Sequence, residues 1–111
     1  VHLKEQQLDA ATAVAGCGPA FVYLFLEALA DAGVQTGLPR DLALQLANQT
    51  LLGSAVLVKE SGQHPAVLKD QVCSPAGSTI AGVASLEADA FRGNIIKAVA
   101  ASYKRTQKLG K

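Results

Sequence analysis

Residues 19–33 read PAFVYLFLEALADAG, and this stretch decides the fold class. Its first half is rich in aromatic and β-branched side chains, a composition typical of a strand. Its second half consists of alanine, leucine and acidic residues, which favour a helix. A proline at the start and a glycine at the end enclose a length that is ordinary for a helix, so we predict one helix over the whole stretch.

The predicted helix is apolar on every side, and so is a longer one that begins at Pro39 and runs to about Ser61. A helix that is apolar all round must be covered all round. One domain of 111 residues would struggle to surround two such helices. We therefore expect a second copy of the chain to cover part of them, with small residues such as Ala47 and Gly53 allowing a close approach. A tight monomeric bundle is the alternative.

Proline and glycine divide the chain into helical segments. The predicted helices span residues 8–15, 19–33, 39–61, 65–72, 78–87 and 91–108. Gly16, Gly33 and Gly62 are expected to end the first three. The fold is predicted to be all-α, a bundle of five to six helices that forms a single domain over residues 1–111.

Composition and charge argue against several functional classes. A net charge of +1 gives no electrostatic reason to expect nucleic acid as a partner. The apolar run at 18–26 is shorter than the ~20 residues that a membrane span needs, so no membrane is expected. Cys17 and Cys73 lie far apart and outside any histidine cluster, which argues against a metal site and fits two reduced thiols in a cytoplasmic protein. The chain contains no methionine, so we expect it to be part of a longer protein.

The segment from Val72 to Thr79, VCSPAGST, joins two predicted helices and is the candidate functional site. Serine, glycine and threonine at the start of a helix offer short hydroxyls and free backbone N–H groups, which suit a carboxylate or a phosphate. An ordinary helix cap has the same pattern, so both interpretations stay open on the pattern alone.

Several separated motifs follow one another along the chain. They are GCGPAF at 16–21, EALADAGV at 27–34, GLP at 37–39, QTLLG at 49–53, HP at 64–65 with LKD at 68–70, and the loop at 74–79. Together they resemble the C-terminal domain of pyrroline-5-carboxylate reductase over residues 9–108.

The resemblance implies the reduction of 1-pyrroline-5-carboxylate to L-proline with NADPH or NADH, the last step of proline biosynthesis. It further implies that an N-terminal Rossmann domain binds the coenzyme, while this helical domain forms an interlocked homodimer and supplies the substrate pocket; assembly beyond a dimer stays open. The one candidate phosphate loop here, Gly16-x-Gly18, has Phe21 in place of the third glycine and no strand signal before it. We therefore expect no cofactor-binding residue in these 111 residues, and no turnover by them alone.

By motif, the resemblance places the substrate at the loop. Ser74 and the backbone N–H groups of Gly77, Ser78 and Thr79 would hold the substrate carboxylate. The Thr79 hydroxyl, the candidate catalytic group, would hydrogen-bond the ring nitrogen. Such a bond suits the reaction because hydride adds to an electron-poor imine carbon held in a fixed orientation. The motif contains no histidine or lysine acid, so we expect the proton to come from solvent or from the iminium form of the substrate.

Two positions depart from the family pattern. Ala76 stands where the family has the first of two adjacent glycines, so either its methyl lies near the ligand or this position needs no positive φ. Cys17 replaces a more common serine and is expected to pack rather than react, because no partner base is evident. Two alternatives remain: a non-catalytic helical oligomerisation module, and the helical half of another NAD(P)-dependent reductase of small carboxylates.

Overall fold

The computed structural model describes residues 3–110, which are helical with no strand among them. The α-helices are α1 (Leu8–Ala11), α2 (Gly18–Gln35), α3 (Arg40–Ser61), α4 (Pro65–Gln71), α5 (Ser78–Ala88) and α6 (Phe91–Leu109). A 3₁₀ turn at Glu5–Gln7 precedes α1, and a π-helical turn at Thr12–Gly16 follows it. The all-α prediction is confirmed.

The described residues divide into two compact units. One contains the residues up to Tyr23 together with those from Glu87 onward, and the other is Leu24–Leu86. The single domain expected from the sequence stays a prediction.

In the first unit, α1 and the π-helical turn pack against α6. The turn is closed by the Cys17 N–H, which donates to the Thr12 carbonyl at 3.0 Å. Ala13 lies inside this packing and is fully buried. The chain therefore stays helical almost continuously through the predicted break at Gly16, and α2 begins at Gly18 with Pro19 in its first turn.

In the second unit, α2 and α3 meet close to the turn that joins them. Ala30 of α2 and Ala43 and Ala47 of α3 form the buried cluster, and Leu26, Val34 and Leu38 pack around it. A Cβ on Gly33 would come within 3.1 Å of the Ala43 Cβ, so the helices approach here because Gly33 has no side chain.

The prediction that Gly33 ends α2 is wrong. The helix continues to Gln35, and Gly37 takes the positive φ of 115° at its C-terminal cap. The N–H groups of Gly37 and Leu38 donate to the carbonyls of Val34 and Gly33, which is the Schellman arrangement. The lack of a side chain at Gly33 lets α2 and α3 approach each other, whereas Gly37 supplies the positive φ that the turn after α2 needs.

The next two boundaries follow local sequence signals as predicted. Gly62 ends α3 with a φ of 68°, and its N–H donates to the Val58 carbonyl. His64 caps α4, because its Nδ1 accepts the Ala66 N–H at 3.1 Å, and Pro65 occupies the first helical position. The short helix α4 thus carries the chain to the loop at 74–79.

The buried apolar side chains of the described residues are all alanines: Ala13, Ala30, Ala43 and Ala47. Large apolar side chains on α2 and α3 remain exposed, among them Tyr23, Leu24, Leu46, Leu52 and Leu57. Side chains of this size usually supply the core, so the described chain leaves apolar faces uncovered.

The apolar helical run is longer than residues 18–26. Glu5–Gln35 is long and apolar enough, by length and composition, to cross a membrane, and 11% of its apolar window is buried within the chain. The same length and composition also describe a helix that is covered by protein.

Candidate functional site

The loop before α5 is a tight turn formed by Ser74, Pro75, Ala76 and Gly77. The Gly77 N–H donates to the Ser74 carbonyl at 3.1 Å. Ala76 has a φ of 57°, and proline precedes it with a trans peptide bond, so the turn is of type II. Of the two sequence-based interpretations of Ala76, the one in which this position needs no positive φ is wrong.

Gly77 has a second structural role, which is to make room for Ser74. A Cβ built on Gly77 would lie 2.5 Å from the Ser74 Oγ. This distance is shorter than the van der Waals contact between a carbon and an oxygen atom. A side chain at position 77 would therefore displace the Ser74 hydroxyl. The turn therefore brings Ser74 against the residue that leads into α5.

Three backbone donors at the start of α5 have no acceptor within the described chain. The Gly77 carbonyl accepts the Ala81 N–H, which leaves the N–H groups of Ser78, Thr79 and Ile80 unpaired. The first turn of α5 contains no acidic residue, so its positive dipole end is uncompensated there. These donors suit an anionic group.

The hydroxyls of the loop are also available. Ser74, Ser78 and Thr79 are exposed, and their side chains make no hydrogen bond to another group within residues 3–110. The predicted site residues thus lie together in one turn and the first turn of one helix.

The structure adds the Ile80 N–H to the predicted donors and shows that the Gly77 N–H already has an acceptor. The Ile80 N–H was not among the predicted site groups, but it is free in the same helical turn. Ile80 is the third residue of the predicted helix, and the first N–H groups of a helix have no acceptor within it, so its position could have identified it. The Gly77 N–H already donates within the turn, so the unpaired donors begin at Ser78.

The other chemistry-bearing groups form no comparable site. Cys17 and Cys73 are free thiols, each partly buried. Among the residues that the structure describes, no group of three metal-binding side chains lies close enough to hold a metal ion.

The Gly16-x-Gly18 sequence does not form a dinucleotide phosphate loop. Gly16 ends the π-helical turn and Gly18 begins α2, so the Gly16-x-Gly18 sequence lies between two helical segments rather than between a strand and a helix. A dinucleotide phosphate loop requires the strand and the glycine-rich turn. No step of the chemistry is therefore assigned to a coenzyme on these residues.

An apolar groove of about 220 Å³ lies on the α2–α3 pair in the second unit. It is lined by Leu29, Gly33, Leu38, Ala43, Leu46, Ala47 and Thr50. Leu46 is 50% exposed at its edge. An open groove of this kind, next to further exposed leucines, is typical of a surface that another protein chain covers.

Comparison with known proteins gives a consistent result. Residues 5–109 match the family described as pyrroline-5-carboxylate reductase dimerisation. Over all of its 111 residues, the chain is 58% identical to a pyrroline-5-carboxylate reductase of Synechocystis, and the match covers 42% of that protein. It is 50% identical to human pyrroline-5-carboxylate reductase 2 over 97% of the chain and 34% of that protein.

Solved structures of similar proteins have the same fold. The Plasmodium falciparum pyrroline carboxylate reductase with NADP bound matches with a TM-score of 0.94 at 46% identity, over 98% of this chain and 44% of that one. The Streptococcus pyogenes 1-pyrroline-5-carboxylate reductase matches with a TM-score of 0.95 at 40% identity, over 97% of this chain and 42% of that one.

Within residues 3–110, helices that leave large apolar side chains exposed are typical of a helical domain that another protein chain covers. Its family follows from the match over residues 5–109: the chain belongs to the pyrroline-5-carboxylate reductase dimerisation family. It spans about two fifths of the length of curated relatives from Synechocystis and Arabidopsis thaliana.

Proposed function

We propose that this chain is the dimerisation and substrate-binding part of a pyrroline-5-carboxylate reductase, which reduces 1-pyrroline-5-carboxylate to L-proline. The family match and the high identity to reductases from several organisms support the proposal. In this proposal NADPH or NADH supplies the hydride and is bound outside these residues; a related structure with NADP bound supports the choice of coenzyme. The 111 residues alone do not turn over.

The single observation that carries the site is the set of unpaired donors at the start of α5. The N–H groups of Ser78 and Thr79 and the Ser74 hydroxyl hold the substrate carboxylate, together with the Ile80 N–H. The Thr79 hydroxyl hydrogen-bonds the ring nitrogen, which favours the electron-poor form of the imine carbon. Gly77 leaves room for the Ser74 hydroxyl and does not bind the carboxylate, because its N–H already donates to the Ser74 carbonyl.

The strength of these contacts supports a shared rather than a self-sufficient site. A charge-assisted hydrogen bond contributes about 1.5–3 kcal/mol, and a helix N-terminus contributes about 0.3–2 kcal/mol toward an anion. These contacts must also offset about 4–15 kcal/mol for the translational and rotational freedom that the ligand loses on binding, so the loop by itself gives weak binding. The rest of the pocket comes from the coenzyme and its domain.

The proposed assembly is an interlocked homodimer in the cytoplasm, without a membrane or a nucleic-acid partner. A second copy covers the exposed leucines of α3 and the groove lined by Leu46, and also the apolar run through α2. The dimerisation family favours protein over lipid as the cover for that run. The net charge of +1 supports the lack of a nucleic-acid partner.

The test is coenzyme oxidation by the full-length protein with 1-pyrroline-5-carboxylate as substrate. Thr79→Val keeps the shape of the side chain but loses the hydroxyl, and we expect kcat/KM to fall by about tenfold to a hundredfold. Thr79→Ser should restore most of the activity. The matched control is Thr36→Val, because the Thr36 hydroxyl donates to its own helix and lies outside the loop.

Full activity of Thr79→Val would contradict the assigned role and favour a non-catalytic oligomerisation module. Activity on other small imino acids but not on 1-pyrroline-5-carboxylate would indicate a different reductase.

A further inference from the structure

Ala76 is the strained residue of the loop. Its φ of 57° lies in the left-handed region, where an L side chain crowds the backbone. Within residues 3–110, Ala90 is the other non-glycine residue with a positive φ, at 59° in the turn between α5 and α6. The chain therefore holds two alanines in the same unfavourable conformation, one inside the candidate site and one outside it.

The loop has an unstrained alternative. If the Pro75–Ala76 peptide flipped, so that Pro75 took a helical ψ and Ala76 a helical φ, residues 75–77 would continue α5 backward by three residues. Ser74 would then be the N-cap and Pro75 the first helical residue, which is a favourable start for a helix. The alternative relieves Ala76 and removes no hydrogen bond that the helix cannot replace.

In that alternative the candidate donors would be consumed. A helix that begins at Pro75 pairs each N–H with the carbonyl four residues earlier. The Ser78, Thr79 and Ile80 N–H groups would then donate to the carbonyls of Ser74, Pro75 and Ala76. The positive φ of Ala76 is thus what keeps α5 short and its first N–H groups free.

Little in the described chain holds the turn in its strained form. Ser74, Pro75 and Ala76 are all exposed. The one hydrogen bond that closes the turn joins the Gly77 N–H to the Ser74 carbonyl. A helical start can replace that bond at the same carbonyl, because the Ser78 N–H would donate to it.

We propose that Ala76 is a positioning residue that sets how often the loop is open for a carboxylate. With the left-handed Ala76, α5 begins at Ser78 and the donors are free; with a helical Ala76, α5 begins at Pro75 and the donors are paired. The apparent affinity for the ligand is reduced by the fraction of open loop. This inference rests on the proposed function, since the carboxylate is that of the substrate and of the product.

The test compares Ala76→Gly with the wild type in the full-length enzyme. Glycine tolerates a positive φ and disfavours a helix, so both effects increase the open fraction. We expect the KM for 1-pyrroline-5-carboxylate and the inhibition constant of L-proline to fall together, by roughly two- to fivefold, with kcat little changed.

A matched pair at the same position separates conformation from size. Ala76→Asn and Ala76→Gln introduce the same amide, but asparagine tolerates the left-handed region and glutamine favours a helix. We expect the KM to fall for asparagine and to rise for glutamine. Ala90→Gly is the control for strain alone: it should raise the thermal midpoint by about 2–4 °C, as Ala76→Gly does, without changing KM.

Hydrogen exchange measured on the peptide that contains 76–82 tests the loop without any activity. Ala76→Gly should speed exchange at Ser78, Thr79 and Ile80 relative to the wild type, and Ala76→Gln should slow it. An active enzyme in which Ala76→Gly changes neither KM nor exchange, although its thermal midpoint rises, would overturn the role of Ala76 alone. A protein inactive on 1-pyrroline-5-carboxylate would overturn the proposed function, while the exchange rates would still decide whether the loop has two states.

Discussion

The Ser74 hydroxyl occupies the space that a side chain on Gly77 would need. An ideal Cβ on Gly77 would lie 2.5 Å from the Ser74 Oγ and 3.2 Å from the Ser74 carbonyl oxygen. The same carbonyl accepts the Gly77 N–H at 3.1 Å. The lack of a side chain at Gly77 therefore allows the close approach of Ser74, whereas the positive φ belongs to Ala76.

Gly77→Ala should raise the KM for 1-pyrroline-5-carboxylate by about tenfold in the full-length enzyme, because the methyl displaces the Ser74 hydroxyl and removes one charge-assisted hydrogen bond. Steady-state kinetics with saturating coenzyme measure the effect. The control is Gly82→Ala in α5, where a Cβ meets nothing within 4 Å. An unchanged KM for Gly77→Ala would mean that the Ser74 hydroxyl takes no part in binding.

Gly33→Ala should destabilise the α2–α3 contact. The new Cβ would lie 3.1 Å from the Ala43 Cβ and 3.3 Å from the Leu38 Cδ1, so the helices must move apart. We expect a loss of about 1–2 kcal/mol in the free energy of unfolding, measured with denaturant. Gly93→Ala in α6 should instead stabilise the chain by about 0.5–1 kcal/mol, since its Cβ meets only an ordinary contact at 3.9 Å. Equal effects of the two changes would contradict the close approach at Gly33.

Leu46→Glu should disrupt the dimer. Leu46 is 50% exposed in the chain alone, so the charge costs little there, but a second copy on the groove would bury it without a partner. Sedimentation should show a smaller species or loss of folded protein, and the thermal midpoint should fall at the same protein concentration. Gln45→Glu places the same charge on the neighbouring exposed residue of α3 and is the control. A Leu46→Glu protein with unchanged assembly would show that the groove is not an interface.

The 111-residue chain alone should bind L-proline only weakly. The hydrogen bonds from the loop must offset the freedom that the ligand loses on binding, so we expect an affinity no tighter than the millimolar range. Calorimetry on the chain, with the full-length protein and its coenzyme as the comparison, measures the difference. Submicromolar binding by the chain alone would mean that its pocket is complete without the coenzyme domain.

Local signals predicted most of the fold. Gly62 ends α3 and Pro65 begins α4. Each acts on backbone groups within one helical turn, so neighbouring residues in the sequence are enough to predict both boundaries. The Ser78 start of α5 was predicted for the same reason. The apolar excess of α2 and α3 likewise indicated exposed faces, because so short a chain has few side chains left to cover both helices.

Gly33 and Gly37 show where local signals were insufficient. Both glycines lie near the end of α2, and each is compatible with a cap. The choice between them depended on the approach of Ala43 from α3, which is a contact between segments and has no sign in the sequence of α2 itself. The sequence also left the conformation of Ala76 open between two interpretations, because alanine has no intrinsic preference for a positive φ.

The sequence by itself determined the helical class, the positions of most helix ends and the group of residues that forms the loop, because capping and amphipathic patterns act over a few neighbouring residues. Only the tertiary structure decided which glycine packs and which one turns, and which backbone N–H groups remain free. Those outcomes depend on the separation between atoms that distant or strained segments bring together, and on a competition between hydrogen-bond acceptors that residue types alone do not specify.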